Sequence, residues 1–336
     1  MDFRLNEDQL SLQQAAKEFL SKECTSEVVR AAFDGPDGDA SELYKKMAGL
    51  GWTALAVPED RGGLGMGVVE QAVLAEQLGY FGAPGPFFST TCLAIPALLS
   101  LGAFDLVDPL LDGSMRATLV TDPDYVLDGG IADAFIVVED GEARWVEASE
   151  ADVTPHRTID GTRRTATVRT PTGAGRAIGA GDALEHVTDS ATAILSAECT
   201  GGAQKALDMT VDYVKVRTQF GRPIGSFQAV KHRLADALLK VESARSASYY
   251  AAWANASDSP DRSFATSVAK AYVSDAFLSV AGQAIQLHGG IGYTWEHDAH
   301  LLFKRAAMNA ELLGSSDLHR ARALQLKLEE MEPQSS

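Results

Sequence analysis

Two stretches of this sequence gather side chains suited to gripping a phosphorylated, aromatic ligand. The first, Arg217 to Gln228, reads RTQFGRPIGSFQ between long alanine-rich runs. Gly221, Pro223 and Gly225 stop a helix and build a turn. Ser226 is placed to cap a helix starting near Phe227. Arg217 falls in the last turn of the preceding helix, where the dipole favours a cation, and its guanidinium fork matches a pyrophosphate. Phe220 offers a face to a base or ring, and Gln219 and Gln228 each add an amide donor and acceptor. The plainer alternative is a helical hairpin loop with a structural arginine.

The second stretch, residues 283–298, reads QAIQLHGGIGYTWEHD. Gln286 and His288 end a helix, and Gly289, Gly290 and Gly292 permit left-handed backbone and close approach to a ligand. A glycine-terminated helix end would look the same. His297 and His300 lack a third ligand at metal-binding spacing and read as a surface pair at a helix start. His232 is expected at an interface, and His288 in a structural role.

Helical segments must position both loops. Apolar residues recur at helical spacing over 6–30, with Asn6 as a candidate N-cap, and a break follows at FDGPDGDAS. Further helices are predicted over 42–50, 68–80 and 89–111. Residues 117–181 switch to short strands (ATLV, AFIVV, ARWVEA, TATVRT) separated by turn signals. Helices return over 184–216, 228–256, 262–287, 297–312 and 316–330. The fold class is mainly α: an N-terminal helical domain (1–113), a small middle β domain (114–181) and a C-terminal four-helix bundle (182–336) carrying both loops.

With 46 acidic against 29 basic residues the net charge is −17, a field that repels nucleic-acid backbones. No run of about 18 apolar residues is present to span a membrane. Cys24, Cys92 and Cys199 form neither a disulfide framework nor a metal motif. The N-terminus has no signal-peptide pattern, and a reducing cytoplasm is the simplest setting.

Taken together, RTQFGRPIGSFQ, QLHGGIGYTWEHDAHLLFKRA and the N-terminal GLGWTALAVPEDRGGLG resemble the acyl-CoA dehydrogenase family of flavoproteins. The resemblance covers nearly the whole chain. It implies the helix–sheet–helix architecture and an FAD cofactor. It also implies a reaction in which a carboxylate takes the α-proton of an acyl-CoA thioester while FAD takes the β-hydride. Matching by position, Arg217, Gln219, Phe220 and Gln228 correspond to the family's hold on the ADP part of FAD. Gln286, Gly289 and Gly290 correspond to its diphosphate clamp. In the family this grip reaches the flavin of a neighbouring subunit.

The family's general base departs. Its Glu-Gly-Thr becomes Leu313-Gly314-Ser315, and leucine accepts no proton. The alternative glutamate position on the first helix of the bundle falls near Ala191. Glu311 is expected to be a solvated charge, and Glu198 to pair with a bundle arginine such as Arg217 or Arg245. In the middle domain Val120-Thr121-Asp122-Pro123 is the one remnant of the family's flavin-ring strand. The Gly-Ser-Asp and Trp-Ile elements are missing, and Trp145 reads as structural.

The chain is therefore expected to be the non-catalytic subunit of a heteromeric acyl-CoA dehydrogenase. Its partner would be a catalytic paralogue in an α2β2 assembly acting on an acyl-CoA, of the kind that oxidises steroid side chains. An electron-transfer flavoprotein is the implied acceptor. The alternatives are a self-sufficient homomer with a relocated glutamate, and a flavin-free helical scaffold or acyl-CoA binder.

Overall fold

In the computed structural model, which describes residues 4–36, 38 and 40–331, helix α1 spans Glu7–Glu23. Asn6 starts it with a reciprocal cap. Its Oδ1 accepts from the Gln9 N–H at 2.8 Å, and Gln9 Oε1 accepts from the Asn6 N–H at 3.0 Å. The helix does not run on to residue 30. Thr25 is extended (φ −75°, ψ 166°), and α2 covers Ser26–Asp34. Of the break predicted next, Asp37 and Asp39 lie outside the described residues. Then come α3 (Ser41–Gly49) and α4 (Val68–Phe81).

The single helix expected over 89–111 is four pieces: a wholly buried π-helix (Phe87–Ala94), α5 (Ile95–Ser100), a 3-10 turn (Phe104–Leu106) and α6 (Asp108–Leu111). Pro96 and Pro109 each sit in a first turn, where a missing N–H costs nothing. Gly102, at φ +69°, turns the chain between α5 and α6.

Seven strands follow: β1 (Ala117–Leu119), β2 (Val126–Leu127), β3 (Ala134–Glu139), β4 (Glu142–Glu147), β5 (Asp152–Pro155), β6 (Thr165–Arg169) and β7 (Arg176–Ala180). They make a four-stranded sheet ordered β1-β3-β4-β7 and a three-stranded sheet ordered β2-β6-β5. Among the described residues only the β1–β3 pairing is parallel, with Ala117 opposite Ala134. Val126, Phe135, Ala166 and Val168 form a buried core shared by both sheets.

The rest is helical apart from one hairpin. Helix α7 (Glu185–Val216) leads into β8 (Thr218–Gln219) and β9 (Arg222–Pro223). Then come α8 (Gln228–Ala256), α9 (Arg262–His288), α10 (Ala299–Glu311) and α11 (Ser316–Met331). Small residues let these helices approach closely. Ala193, Ala251 and Ala269 bring α7, α8 and α9 together. A side chain on Gly202 would strike the Phe277 ring at 2.4 Å. Helices α4 and α7 cross on reciprocal glycines. A Cβ on Gly79 would lie 1.9 Å from the Glu198 carbonyl oxygen, and one on Gly201 1.8 Å from that of Glu76.

By packing, the chain forms two compact units: residues 1–21, 72–82 and 192–336 in one, and 22–71 and 83–191 in the other. Both predicted binding loops belong to the first. Among the described residues, no helix is long and apolar enough to cross a membrane.

Candidate cofactor site

Helix α7 ends at Val216, so Arg217 is the first residue beyond it rather than part of its last turn. The Arg217 N–H still donates to the Tyr213 carbonyl at 2.9 Å. Strands β8 and β9 then pair Thr218 with Pro223 and Gln219 with Arg222. The two residues of the turn, Phe220 (φ +53°) and Gly221 (φ +78°), both occupy the left-handed region. That is the turn type matched to strand twist, and it is usually made by Asn-Gly or Gly-Gly. A phenylalanine there costs about 1 kcal/mol. Its ring stands 92% exposed at the hairpin tip, edge-on to Phe227 with centroids 6.2 Å apart.

Ser226 does not cap α8. Its hydroxyl donates to the Pro223 carbonyl at 2.7 Å, and Phe227 is the uncapped N-terminal residue. The amide of Gln228, in the first turn of α8, donates to His232 Nε2 at 3.0 Å, and both side chains are exposed. Gln219 is exposed as well, its amide turned onto the Thr218 carbonyl at 2.9 Å. Arg222 lies over the Phe227 ring at 4.2 Å. Among the described residues, neither Arg217 nor Arg222 has a carboxylate within ion-pair distance, although the chain is rich in acids.

The glycine loop is equally open. Gln286 is exposed in the last turn of α9, and its carbonyl accepts the Gly289 N–H. Gly289 has φ +65°, and a Cβ at Gly289 or Gly290 would meet nothing within 4 Å. Just ahead, His288 is buried, and burial holds its imidazole below the ordinary histidine range. Its Nδ1–H donates to the Ala284 carbonyl at 2.7 Å.

An unpaired guanidinium, an exposed ring, solvent-facing amides and two open glycines within one unit fit the ADP end of a dinucleotide.

The predicted base position is differently built. Helix α10 ends at Glu311, so Leu313 lies beyond it, at φ +58°, and Gly314 follows at φ +103°. Helical angles between residues 311 and 313 therefore do not apply, yet Glu311 is exposed as expected. His319 holds the turn, its Nε2–H donating to the Leu313 carbonyl at 2.8 Å. Lys270, fully buried on α9, donates to the carbonyls of Asn309 (2.9 Å) and Ala310 (3.0 Å) and to Ser274 Oγ (3.0 Å). Burial brings its ammonium down to about 8.

Glu198 pairs with neither Arg217 nor Arg245. Its Oε1 accepts from Arg305 Nη1 at 3.0 Å and from Asn309 Nδ2 at 3.2 Å, in a site where all three are buried. Arg245 instead bonds Glu76, which also accepts from the Tyr249 hydroxyl at 2.7 Å. Cys199 is buried and takes a 3.5 Å bond from Asn309 Nδ2. His300 is buried, against expectation, with the Trp295 ring edge-on at 4.7 Å. Among the described residues, no group of three potential ligands could hold a metal.

In the other unit, Asp122 Oδ1 accepts the Asp124 N–H at 2.8 Å, so the chain turns at once after β1 and re-enters as β2. Trp145 is a sheet residue, 4% exposed, with its indole N–H donating to Glu147 Oε1 at 2.7 Å.

Sequence reasoning missed Tyr213, Lys270, Arg305 and Asn309. Tyr213 stands four residues before Arg217, one helical turn. Arg305 and Asn309 share an i,i+4 face of α10, and Lys270 is a lone cation in an apolar run.

Comparison with known proteins adds a common pattern. Residues 6–108 match the model of the acyl-CoA dehydrogenase N-terminal domain, and residues 169–325 that of the C-terminal domain. "Acyl-CoA dehydrogenase IpdE2" of Mycolicibacterium smegmatis is 39% identical over 313 residues, covering 92% of this chain and 96% of that protein. A structure of the ChsE4-ChsE5 complex from Mycobacterium tuberculosis contains a chain that superposes with TM-score 0.89 at 26% identity, covering 99% of this chain and 100% of that one. A variant of the Tcur3481-Tcur3483 steroid ACAD superposes with TM-score 0.88 at 27% identity, covering 97% and 99%.

Proposed function

This chain belongs to the acyl-CoA dehydrogenase family, whose cofactor is FAD, and we propose that it is the non-catalytic subunit of a heteromeric member. Arg217, Gln219, Phe220, Gln228, Gln286, Gly289 and Gly290 grip the ADP end of an FAD seated mainly in a partner chain. The partner is a catalytic acyl-CoA dehydrogenase paralogue in an α2β2 assembly, and it supplies the carboxylate and the flavin-ring contacts. Bound there, FAD would supply a hydride acceptor for the substrate's β-carbon.

The observation that carries this reading is Leu313. An aliphatic side chain occupies the place of the base, in a chain whose clamp loops are open to solvent. Glu198 offers no relocated base, because it is buried against Arg305 and Asn309. Glu311 points to solvent at the end of α10. The turn after β1 and the enclosed Trp145 leave little of a flavin-ring cradle in the middle region. The hyphenated names of the two superposing structures describe two-component assemblies, which supports pairing with a different chain. The steroid ACAD among them supports a bulky acyl-CoA, such as a steroid side-chain ester, as substrate. Electrons then pass to an electron-transfer flavoprotein.

The test is purification of the tagged chain alone and with its native partners, followed by counting FAD. The complex is expected to hold about one FAD per two chains, and the isolated chain none. Full FAD occupancy and turnover by the isolated chain would falsify the reading.

A further inference from the structure

We propose that Tyr213 is a positioning residue that locks the two dinucleotide-gripping loops into one register; this rests on the reading of those loops as an FAD clamp. Three contacts place it at the node. Its backbone carbonyl accepts the Arg217 N–H at 2.9 Å, one turn beyond. Its hydroxyl donates to the His288 carbonyl at 3.3 Å, across 75 residues of sequence. Its ring stacks on the His288 imidazole with centroids 4.4 Å apart and planes 28° from parallel. The His288 carbonyl belongs to the peptide from which the glycine loop departs, because Gly289 breaks the helix at φ +65°. Tyr213 therefore meets the hairpin loop through its backbone and the glycine loop through its side chain.

The surroundings make this node stiff. The Ile224 N–H donates to the Arg217 carbonyl at 2.8 Å, closing the hairpin onto α7. A Cβ on Gly225 would lie 3.0 Å from the Val214 carbonyl oxygen, so hairpin and helix end touch backbone to backbone. On the far side, the His297 ring packs 4.3 Å from His288 and 6.5 Å from Tyr213. His288 Nδ1 is committed to Ala284, which makes Nε2 a bare acceptor, and that buried nitrogen has no donor. The Nδ1 bond and the two neighbouring rings fix the imidazole plane. Here the ring is held by stacking rather than by its second nitrogen.

Each loop has its own local support: the β8–β9 ladder for one, the helix end for the other. What neither has alone is a fixed distance to the other. A diphosphate held by both at once gains from that fixed distance, as any two-point ligand does from pre-arranged sites.

The test uses the complex isolated through a tag on this chain, with FAD release followed by flavin fluorescence after dilution. Tyr213→Phe keeps the ring and removes one neutral hydrogen bond, so release should quicken about fivefold. Tyr213→Leu also removes the stack and should quicken it about fiftyfold. The partial rescue by phenylalanine separates positioning from bulk. Melting of the isolated chain should move by no more than about 2 °C for Tyr213→Phe, since one exchanged hydrogen bond is small against the whole transition. Arg217→Ala tests the clamp itself. Release at the wild-type rate in Tyr213→Phe and Tyr213→Leu, with faster release in Arg217→Ala, overturns the strut and keeps the clamp. Wild-type release in all three overturns both. A double variant, Tyr213→Phe with Arg217→Ala, should release FAD no faster than about twice the rate of Arg217→Ala, because there is then less left to position. Fully multiplicative effects would overturn the coupling even if the leucine variant fails to fold.

Discussion

Replacing Glu198 by glutamine separates a structural carboxylate from a relocated base. Glu198 is 4% exposed and faces Arg305, also 4% exposed, at 3.0 Å. Glutamine keeps the shape and the Oε1 acceptor for Arg305 and Asn309 but removes the negative charge. Breaking a buried ion pair from one side costs about 3–5 kcal/mol. Because an acceptor survives, the lower end, about 3 kcal/mol, applies. An unfolding entropy of about 2.1 cal/mol/K per residue over 336 residues gives about 0.7 kcal/mol/K. The melting temperature should then fall by about 4 °C, read by calorimetry on the isolated chain. Turnover of the reconstituted complex, assayed below that transition, should stay within about twofold of wild type. The pairing also explains why the fold needs this acid: it ties α7 to α10 where Gly79 and Gly201 have already brought α4 hard against α7. A fall in kcat of about 10²-fold or more, with melting unmoved, would refute the argument and make Glu198 the proton acceptor.

Further outcomes follow from other sites. Phe220→Asn puts a residue suited to the left-handed turn at the hairpin tip. It should raise stability by up to about 1 kcal/mol in urea unfolding while the complex retains FAD about tenfold less tightly. Gly201→Ala forces a methyl into the Glu76 carbonyl and should cost about 3 kcal/mol or more in the same assay. Lys270 titrates near 8 when folded and near 10.5 when unfolded. Below pH 8 both states hold the proton, and the buried charge costs about 3 kcal/mol. Between pH 8 and 10.5 the unfolded chain holds more protons, so this group makes stability rise with pH. Relative to Lys270→Met, wild type should therefore gain up to about 3 kcal/mol across that range in urea titrations, and a falling difference would contradict the burial. Leu313→Glu restores a carboxylate without a flavin-ring cradle. The isolated variant should show no acyl-CoA oxidation with a dye acceptor, and measurable turnover would overturn the idea that more than the base has been lost.

The helical frame was legible because it rests on spacing and caps. Asn6, the alanine-rich runs and the long helices from 185 onward follow from local chemistry. The interruption at Thr25 was not, since an apolar run either side of a threonine reads as continuous until packing turns the second helix away. The sheets were only half visible: β2, β5 and β7 are short, and Arg176–Ala180 has no inward-facing apolar pattern. Both binding loops were legible as residue types, because glycine, proline and arginine act locally. What sequence could not supply was partnership over long separations. The Glu198–Arg305 and Tyr213–His288 pairings join positions 107 and 75 residues apart. Nothing in their local windows announces them, and the arginine assigned to Glu198 was accordingly the wrong one.

The turn at Leu313 is built so that the proposed exchange of a carboxylate for leucine there would cost little. The carbonyls of that turn are held by side chains from other helices. Lys270 takes the carbonyls of Asn309 and Ala310, and His319 takes that of Leu313. Gly314 is fixed by space, since a Cβ there would lie 2.7 Å from Leu318 and 3.0 Å from His319. None of these bonds depends on what the side chain at 313 is. A carboxylate could give way to a leucine with the loop geometry unchanged, and a half-buried aliphatic chain needs no hydrogen-bond partner. The clamp is the opposite case. Arg217, Phe220 and Gln228 are exposed and contribute little to folding, and Phe220 works against it. Stability therefore accounts for a turn without an acid but not for the exposed loop residues, and the proposed grip on FAD would account for those.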